Sequence, residues 1–433
     1  MRNNPKLTAF LTGYGILLVA ADLVIPLRMP EILQVLAAWH FSWSRFIGWI
    51  AQTPGSAPLS YFAQLPFLLI WPHGRLAARF ASLIFAIGAG ILLFELCKKI
   101  AIKHPYFALA AFLLVPIHFR AATDAQGFEQ ALFLTSLELW LFFYLIRTPA
   151  IKSAVLYGIV LTLCLYADPY SFLPAIGQFL FLLRFVNRAQ ERRAVWFALP
   201  ATAAPPLLFL PYYLWARAHT SSNWIYVPQT QLRGWTIYIL AVLLTVGLVV
   251  AVWSTFRGIE RNPSRRIFLF CAAGGVISSI AGRQVLWAAP ALILLFFAAL
   301  DWLSTNRPKR ITACAVVSFF LFCCIVSGVG YLRSHPDDMR QEAAAISQRV
   351  TDNSCIVFLS EGLSKYLFVL FEPQLADYEC LNFFHRRVIV AIHPYVGAKD
   401  RMDVTSYFRA LNFREKERVQ MGRGGIMVFE QAK

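Results

Sequence analysis

Apolar residues run in blocks from near the N-terminus to about residue 331, separated by short polar loops. The blocks fall at about 8–26, 75–97, 105–119, 128–146, 151–166, 170–186, 194–216, 234–256, 266–282, 284–303 and 310–331. Each reads as a spanning helix, for which roughly 20 apolar residues suffice. In lipid only helices and closed barrels satisfy their own backbone polar groups. These blocks are continuous rather than alternating, so the pattern predicts an all-α polytopic membrane protein with about 11 transmembrane helices.

Two stretches depart from that pattern. Residues 27–57 are less apolar, and Trp39, Trp43 and Trp49 are spaced as on one helix face, which predicts an interfacial segment. Residues 58–72 are apolar but bounded by proline and too short to span, so they read as re-entrant or interfacial. Together they make 27–74 a first outer loop. After residue 331 the chain changes character. MRQEAAAISQRV predicts a helix, and CIVFLS, VIVAI and GGIMVFE predict strands. Residues 332–433 are therefore expected to form a small α/β domain that follows a transmembrane domain over 1–331.

Composition agrees. Of the 433 residues 58% are hydrophobic and only 15% charged, whereas a water-soluble domain carries about a quarter charged residues. The net charge of +17 does not imply a nucleic acid partner, because the basic residues lie in loops between apolar blocks. There they act as a topology signal. With a cytoplasmic N-terminus, the inner loops hold clusters such as Lys98, Lys99 and Lys103, or Arg257, Arg261, Arg265 and Arg266. The outer loops hold only scattered arginines, and the tail then lies outside the cytoplasm. The opening MRNNPK has the charge of a signal peptide without a clear cleavage site, so an uncleaved first helix is expected. Six cysteines lie in or beside apolar blocks, while Cys355 and Cys380 are placed to pair if the tail is extracytoplasmic. His118 and the other histidines show no metal-ligand spacing, so neither a metal nor a cofactor is expected. Gly88 and Gly90 read as helix-packing positions.

The same topology gathers acids at one membrane face. Asp22 lies near the outer end of the first span, Glu31 follows it, Asp124 sits between the third and fourth spans, and Asp168 between the fifth and sixth. Carboxylates at such depths are costly and functional by default. Arginine or tyrosine stands near three of them: Arg28 by Glu31, Arg120 by Asp124, Tyr170 by Asp168. A carboxylate suits the general base that a hydroxyl or amine acceptor needs. Arginine suits a lipid phosphate, which it grips in bidentate fashion. Arg28, Arg120 and Arg283 are placed for that task, with Arg75 and Arg79 behind them. The set points to group transfer from a phosphorylated lipid. Taken singly, each acid also fits a structural ion pair, and each arginine a headgroup contact.

The order of motifs resembles the GT-C class of integral-membrane glycosyltransferases, which includes protein mannosyltransferases, aminoarabinose transferases and RgtA/B/C/D-like enzymes. PLRMPEILQ resembles the family's first-loop P-L-x-x-D-E, and SAPLSYF its hPPLyY segment. RLAARFASLIFAIGAGILLFEL resembles its "alRLpSalfgll" helix, and RAATDAQGFEQALFL its second-loop acid followed by a helix. LYADPYSFLPAIGQ and RQVLWAAPALILL resemble the later LythYfalll and RYllpalPalall stretches. The resemblance implies a bacterial inner (plasma) membrane enzyme with a polyprenyl-phosphate sugar donor and a glycan, lipid or protein acceptor. It makes Glu31 and Asp124 the catalytic pair, with Arg79 and Arg283 matching family arginines. The chain departs from the pattern at three points. Pro30 stands where the first-loop aspartate belongs, Ala57 replaces a proline, and Asp168 a common histidine. Glu31 then takes the role of base, with Asp22 or Asp124 as the alternatives to it. The alternatives are a catalytically degenerate scaffold of the same fold, and a lipid or solute transporter. Against the transporter, the ionisable residues read as lying at the outer face.

Overall fold

A computed structural model describes residues 4–25, 31, 58–71, 75–125, 127–186, 189–219, 263–281, 289–303, 339–351, 354–359, 387–392, 398–421 and 424–431. The segment 27–57 apart from Glu31, Arg28, Arg283, Cys380, and the spans expected at 234–256 and 310–331 lie outside the described residues. The chain divides into two compact units, residues 1–22 with 37–331, and residues 23–36 with 332–433.

The first unit is helical. Its helices are α1 (Pro5–Val24), α2 (Pro58–Ile70), α3 (Arg75–Lys99), α4 (Pro105–Leu114), α5 (Pro116–Ala122), α6 (Phe128–Arg147), α7 (Ile151–Ala167), α8 (Leu173–Leu182), α9 (Ala189–His219), α10 (Pro263–Ala281) and α11 (Ala289–Leu303). Among the described residues, four stretches are long and apolar enough to cross a membrane: Pro5–Leu23, Leu76–Lys99, Phe128–Arg147 and Arg192–Trp215. The protein is an integral membrane protein. Its outward apolar side chains fit that setting, for Ile151, Val155 and Ile159 on α7 and Leu207, Leu208 and Leu214 on α9 are exposed. In water such faces would be aggregation sites; in lipid they are solvated.

The expected boundaries shift where proline intervenes. The single span expected at 105–119 is two helices, because Pro116 lacks an N–H and pushes Val115 out of the helical region, to φ −61° and ψ 131°. The block at 170–186 is a 3-10 turn (Pro169–Phe172), then α8, then a second 3-10 turn (Leu183–Phe185). The short α2 keeps Pro58–Ile70 below spanning length, as its sequence predicts. α9 runs for 31 residues with Pro200, Pro205, Pro206 and Pro211 inside it. Packed membrane helices tolerate such breaks because neighbours satisfy the freed carbonyls.

Core packing uses small residues where backbones cross. Gly88 on α3 faces the Phe133 ring of α6, and Gly90 faces Leu113 and Leu109 of α4. A closer crossing joins α8 to α10. A Cβ on Gly177 would fall on the Gly274 carbonyl oxygen, and one on Gly275 would come within 2.9 Å of the Pro174 carbonyl oxygen. The Ser278 hydroxyl donates to the Leu173 carbonyl at 2.6 Å across the same crossing. Without an aqueous driving force between lipid-embedded helices, such close approach supplies the attraction. Gly177→Ala is expected to cost about 1–3 kcal/mol by forcing the helices apart, read as a lower thermal midpoint in detergent.

The second unit holds α12 (Met339–Ser347), β1 (Ser354–Leu359), β2 (Arg387–Ile392), α13 (Ala398–Ala410), β3 (Phe413–Met421) and β4 (Gly424–Gln431). The strands form one mixed sheet in the order β1-β2-β4-β3, with β1 and β2 parallel and the other pairs antiparallel. Cys355, Val388, Val390, Val404, Phe408, Met427 and Phe429 make its core, with Phe408 stacked on Phe429 at 4.6 Å. β3 (FREKERVQM) carries too much charge to read as a strand. Pairing with β4 settles it, across a bulge at Glu415/Glu417. Arg349 donates to Glu417 at 2.7 Å and holds that carboxyl below the usual range. Cys355 is disulfide-bonded. Glu31, fully buried, belongs to this second unit.

Candidate functional site

Polar side chains converge at the end of the first unit where α1 finishes, α3 begins and α5 turns into α6. Asp22 lies in the last turns of α1 and Arg79 in the second turn of α3. Both are fully buried, and Arg79 Nη1 stands 3.6 Å from Asp22 Oδ1. One turn further along α3, the Ser82 hydroxyl donates to the Asp124 carbonyl at 2.6 Å. Asp124 is itself only 3% exposed. The loop that carries it is short because Pro116 restarts the chain as a separate helix, α5, which the Thr123 amide closes by donating to Phe119. At its far end Gly127 takes φ +80° and caps α6. A side chain there would collide with Ser60 of α2, so glycine is required by both conformation and space.

Below this loop runs a second chain of buried groups. The Tyr14 hydroxyl lies 3.1 Å from His118 Nδ1, and His118 Nε2 lies 3.2 Å from Glu129 Oε1. The imidazole also packs on the Phe112 ring at 4.4 Å. Glu129 stands in the first turn of α6, where the helix dipole favours a carboxylate.

The nine residues singled out in the sequence divide into groups. Asp22, Arg79 and Asp124 lie on elements that meet, as described. Arg120 is half-buried in the last turn of α5. Asp168 caps the 3-10 turn after α7, accepting from the Tyr170 amide at 2.8 Å, while the Tyr170 ring is exposed. Glu31 is buried in the second unit, and Arg28 and Arg283 lie outside the described residues.

Burial pushes the Asp168 carboxyl up to about 7, against the opposing pull of the Tyr170 and Ser171 amides. The sign of its effect follows. As pH rises from the ordinary 3.8 towards 7, the unfolded chain releases this proton before the folded chain does, so stability falls across that window. Asp168→Asn keeps the acceptor oxygen and is expected to flatten the fall, measured as the thermal midpoint between pH 4 and 7.

Sequence reasoning missed two features. His118 reads there as an unremarkable interface histidine, yet it is buried between a tyrosine and a glutamate. The acid at position 129, just past the loop acid, was the available signal. The second is a correction. The ionisable residues are not confined to one face, since Glu138 is buried halfway along α6. Tyr157 of α7 donates to it at 2.9 Å and Gln178 of α8 at 3.2 Å. A single acid in an apolar run is conspicuous, but its partners come from other helices.

An apolar cavity of about 510 Å³ lies in the same unit, lined by Pro58, Leu59 and Phe62 of α2, Leu163 and Tyr166 of α7, and Tyr212 and Trp215 of α9.

No family model matches the chain, and no curated protein is similar to it in sequence. Solved structures are similar in fold. ArnT from Cupriavidus metallidurans bound to undecaprenyl phosphate superposes with a TM-score of 0.61 at 13% identity, covering 98% of both chains. The apo state of the same protein gives a TM-score of 0.57 at 13% identity, over 96% of this chain and 98% of that one. The chain therefore has the ArnT fold, which is the GT-C-like architecture that its motif order resembles.

Proposed function

We propose that this protein is a membrane glycosyltransferase. It moves a sugar from a polyprenyl-phosphate-linked donor to a glycan, lipid or protein acceptor at the outer face of a bacterial inner membrane. The observation that carries the reading is a whole-length fold shared with a protein whose structure holds undecaprenyl phosphate. In this fold, buried Asp22, Arg79 and Asp124 occupy one end of the bundle. The apolar, aromatic cavity beside α2 suits an isoprenoid chain, and the paired Cys355 suits a tail outside the reducing cytoplasm.

In the proposed reaction Glu31 takes the proton of the acceptor O–H or N–H. The freed electron pair attacks the anomeric carbon, the bond from that carbon to the phosphate oxygen breaks, and the lipid phosphate leaves with inversion. Asp124 positions the acceptor or orients the donor. Arg28, Arg120 and Arg283 hold the phosphate, whose charge arginine neutralises without a metal. Arg79 already faces Asp22, so that pair frames the site rather than reaching the phosphate. Pro30, in place of the family's aspartate, favours a second reading, a degenerate scaffold of this fold.

A panel of radiolabelled undecaprenyl-phosphate sugars, offered to the purified protein in proteoliposomes with membrane lipid and glycan acceptors, tests the proposal. Transfer from at least one donor is expected. No transfer from any, with the protein inserted and folded, favours the scaffold.

A further inference from the structure

The Asp124 loop is held at four points by side chains from five helices. Ser82 of α3 holds its carbonyl, and Ser60 of α2 packs on Gly127 at its end. His118 of α5 and Glu129 of α6 close its base, one on each side of residues 123–127. Tyr14 of α1 is the fourth contribution, bound to the far nitrogen of the same imidazole. All three members of this chain are buried, with Tyr14 at 5% exposure and His118 and Glu129 at 0%. Buried polar groups of this kind are costly when unmatched and are retained where they fix one geometry.

The Tyr14 hydroxyl is within hydrogen-bond distance of His118 Nδ1, and His118 Nε2 stands 3.2 Å from Glu129 Oε1 as a close polar contact outside hydrogen-bond geometry, so phenol, imidazole and carboxylate lie in one row. That alignment ties α1, which carries Asp22, to both helices that flank Asp124. None of the three needs to touch substrate. A hydrophobic trio of the same size would fill the space but would leave the hinge between α5 and α6 free to rotate.

We infer that the Tyr14–His118–Glu129 chain is a positioning device that sets where the Asp124 loop stands relative to Asp22 and Arg79. This rests on the reading of Asp124 as a residue of the transfer site. Its signature is a fall in turnover out of proportion to any loss of stability, since misplacing a reacting group by about 1 Å costs on the order of 10²-fold.

The test compares Glu129→Gln, Tyr14→Phe and their double variant with Gly177→Ala, which loosens the crossing of α8 and α10. Transfer of the sugar from the undecaprenyl-phosphate donor that the wild type uses is measured alongside thermal midpoints. Each single variant is expected to lower kcat about 10- to 100-fold with little change in donor KM. The double variant is expected to lose no more than the worse single, as members of one unit do. Gly177→Ala is expected to lower the midpoint and leave kcat intact. Wild-type kcat in Glu129→Gln, additive losses, or losses that follow the midpoint as in Gly177→Ala overturn the inference. Should Glu129→Gln fail to insert, Tyr14→Phe, which removes one hydroxyl, decides by the same criterion. Asp124→Asn separates the two levels. If it leaves transfer intact, the site reading fails and this inference with it. If it abolishes transfer while Glu129→Gln does not, only the positioning role is lost.

Discussion

Glu31→Gln is expected to lower kcat for sugar transfer by about 10²- to 10⁴-fold, the range that a positioned general base contributes. Glutamine preserves the volume and the carbonyl of the buried Glu31 side chain but has no basicity. Proton removal from the acceptor is then lost while the fold and the donor contacts survive. Donor KM is expected to stay within a few-fold, because the base acts on the acceptor in the transition state. Asp124→Asn is expected to cut kcat to a similar degree and to raise acceptor KM as well, since Asp124 positions rather than deprotonates. The pair of variants therefore assigns roles. If Glu31→Gln transfers normally and Asp124→Asn does not, the base lies in the second loop, and the Pro30 departure has displaced it from the first. Initial rates over a range of both substrates, at matched protein insertion, give the answer.

Arg79→Leu is expected to destabilise the first unit by about 3–5 kcal/mol, the usual cost of breaking a buried ion pair from one side. Both partners are fully buried, at 3.6 Å. Leucine deprives the buried Asp22 carboxylate of that guanidinium. The double variant Asp22→Asn/Arg79→Leu is expected to recover much of the loss, because both charges of the pair are then removed together. Replacing a buried pair by groups of similar volume is often close to neutral. A four-member cycle of thermal or denaturant unfolding in detergent measures the coupling. Additive losses in the double variant would show that Asp22 and Arg79 stand apart energetically, and the site would lack the frame described here.

The chain's membrane character was legible in its sequence because it depends on local properties. Runs of apolar side chains, basic clusters in the loops between them, and prolines at block edges each act within a few residues. The helices Pro5–Val24, Arg75–Lys99 and Phe128–Arg147 stand close to where those runs place them. The acids Asp22 and Asp124 could be picked out singly, since a carboxyl beside an apolar run is conspicuous wherever the chain goes next.

Partnership was not legible. Arg79 lies 57 residues from Asp22, and His118 lies 104 from Tyr14; only the packing of α1 against α3 and α5 makes them neighbours. The strand FREKERVQM gives no apolar period of its own and becomes β3 by pairing with β4. Glu138 finds its tyrosine and glutamine on two other helices, and Gly177 meets Gly274 almost a hundred residues away. By itself the sequence determined that this is a membrane protein and which single residues are expensive to bury there. Tertiary structure alone decided which of those residues share a site, because a burial cost is a property of one side chain, whereas its compensation requires another brought up from elsewhere in the chain.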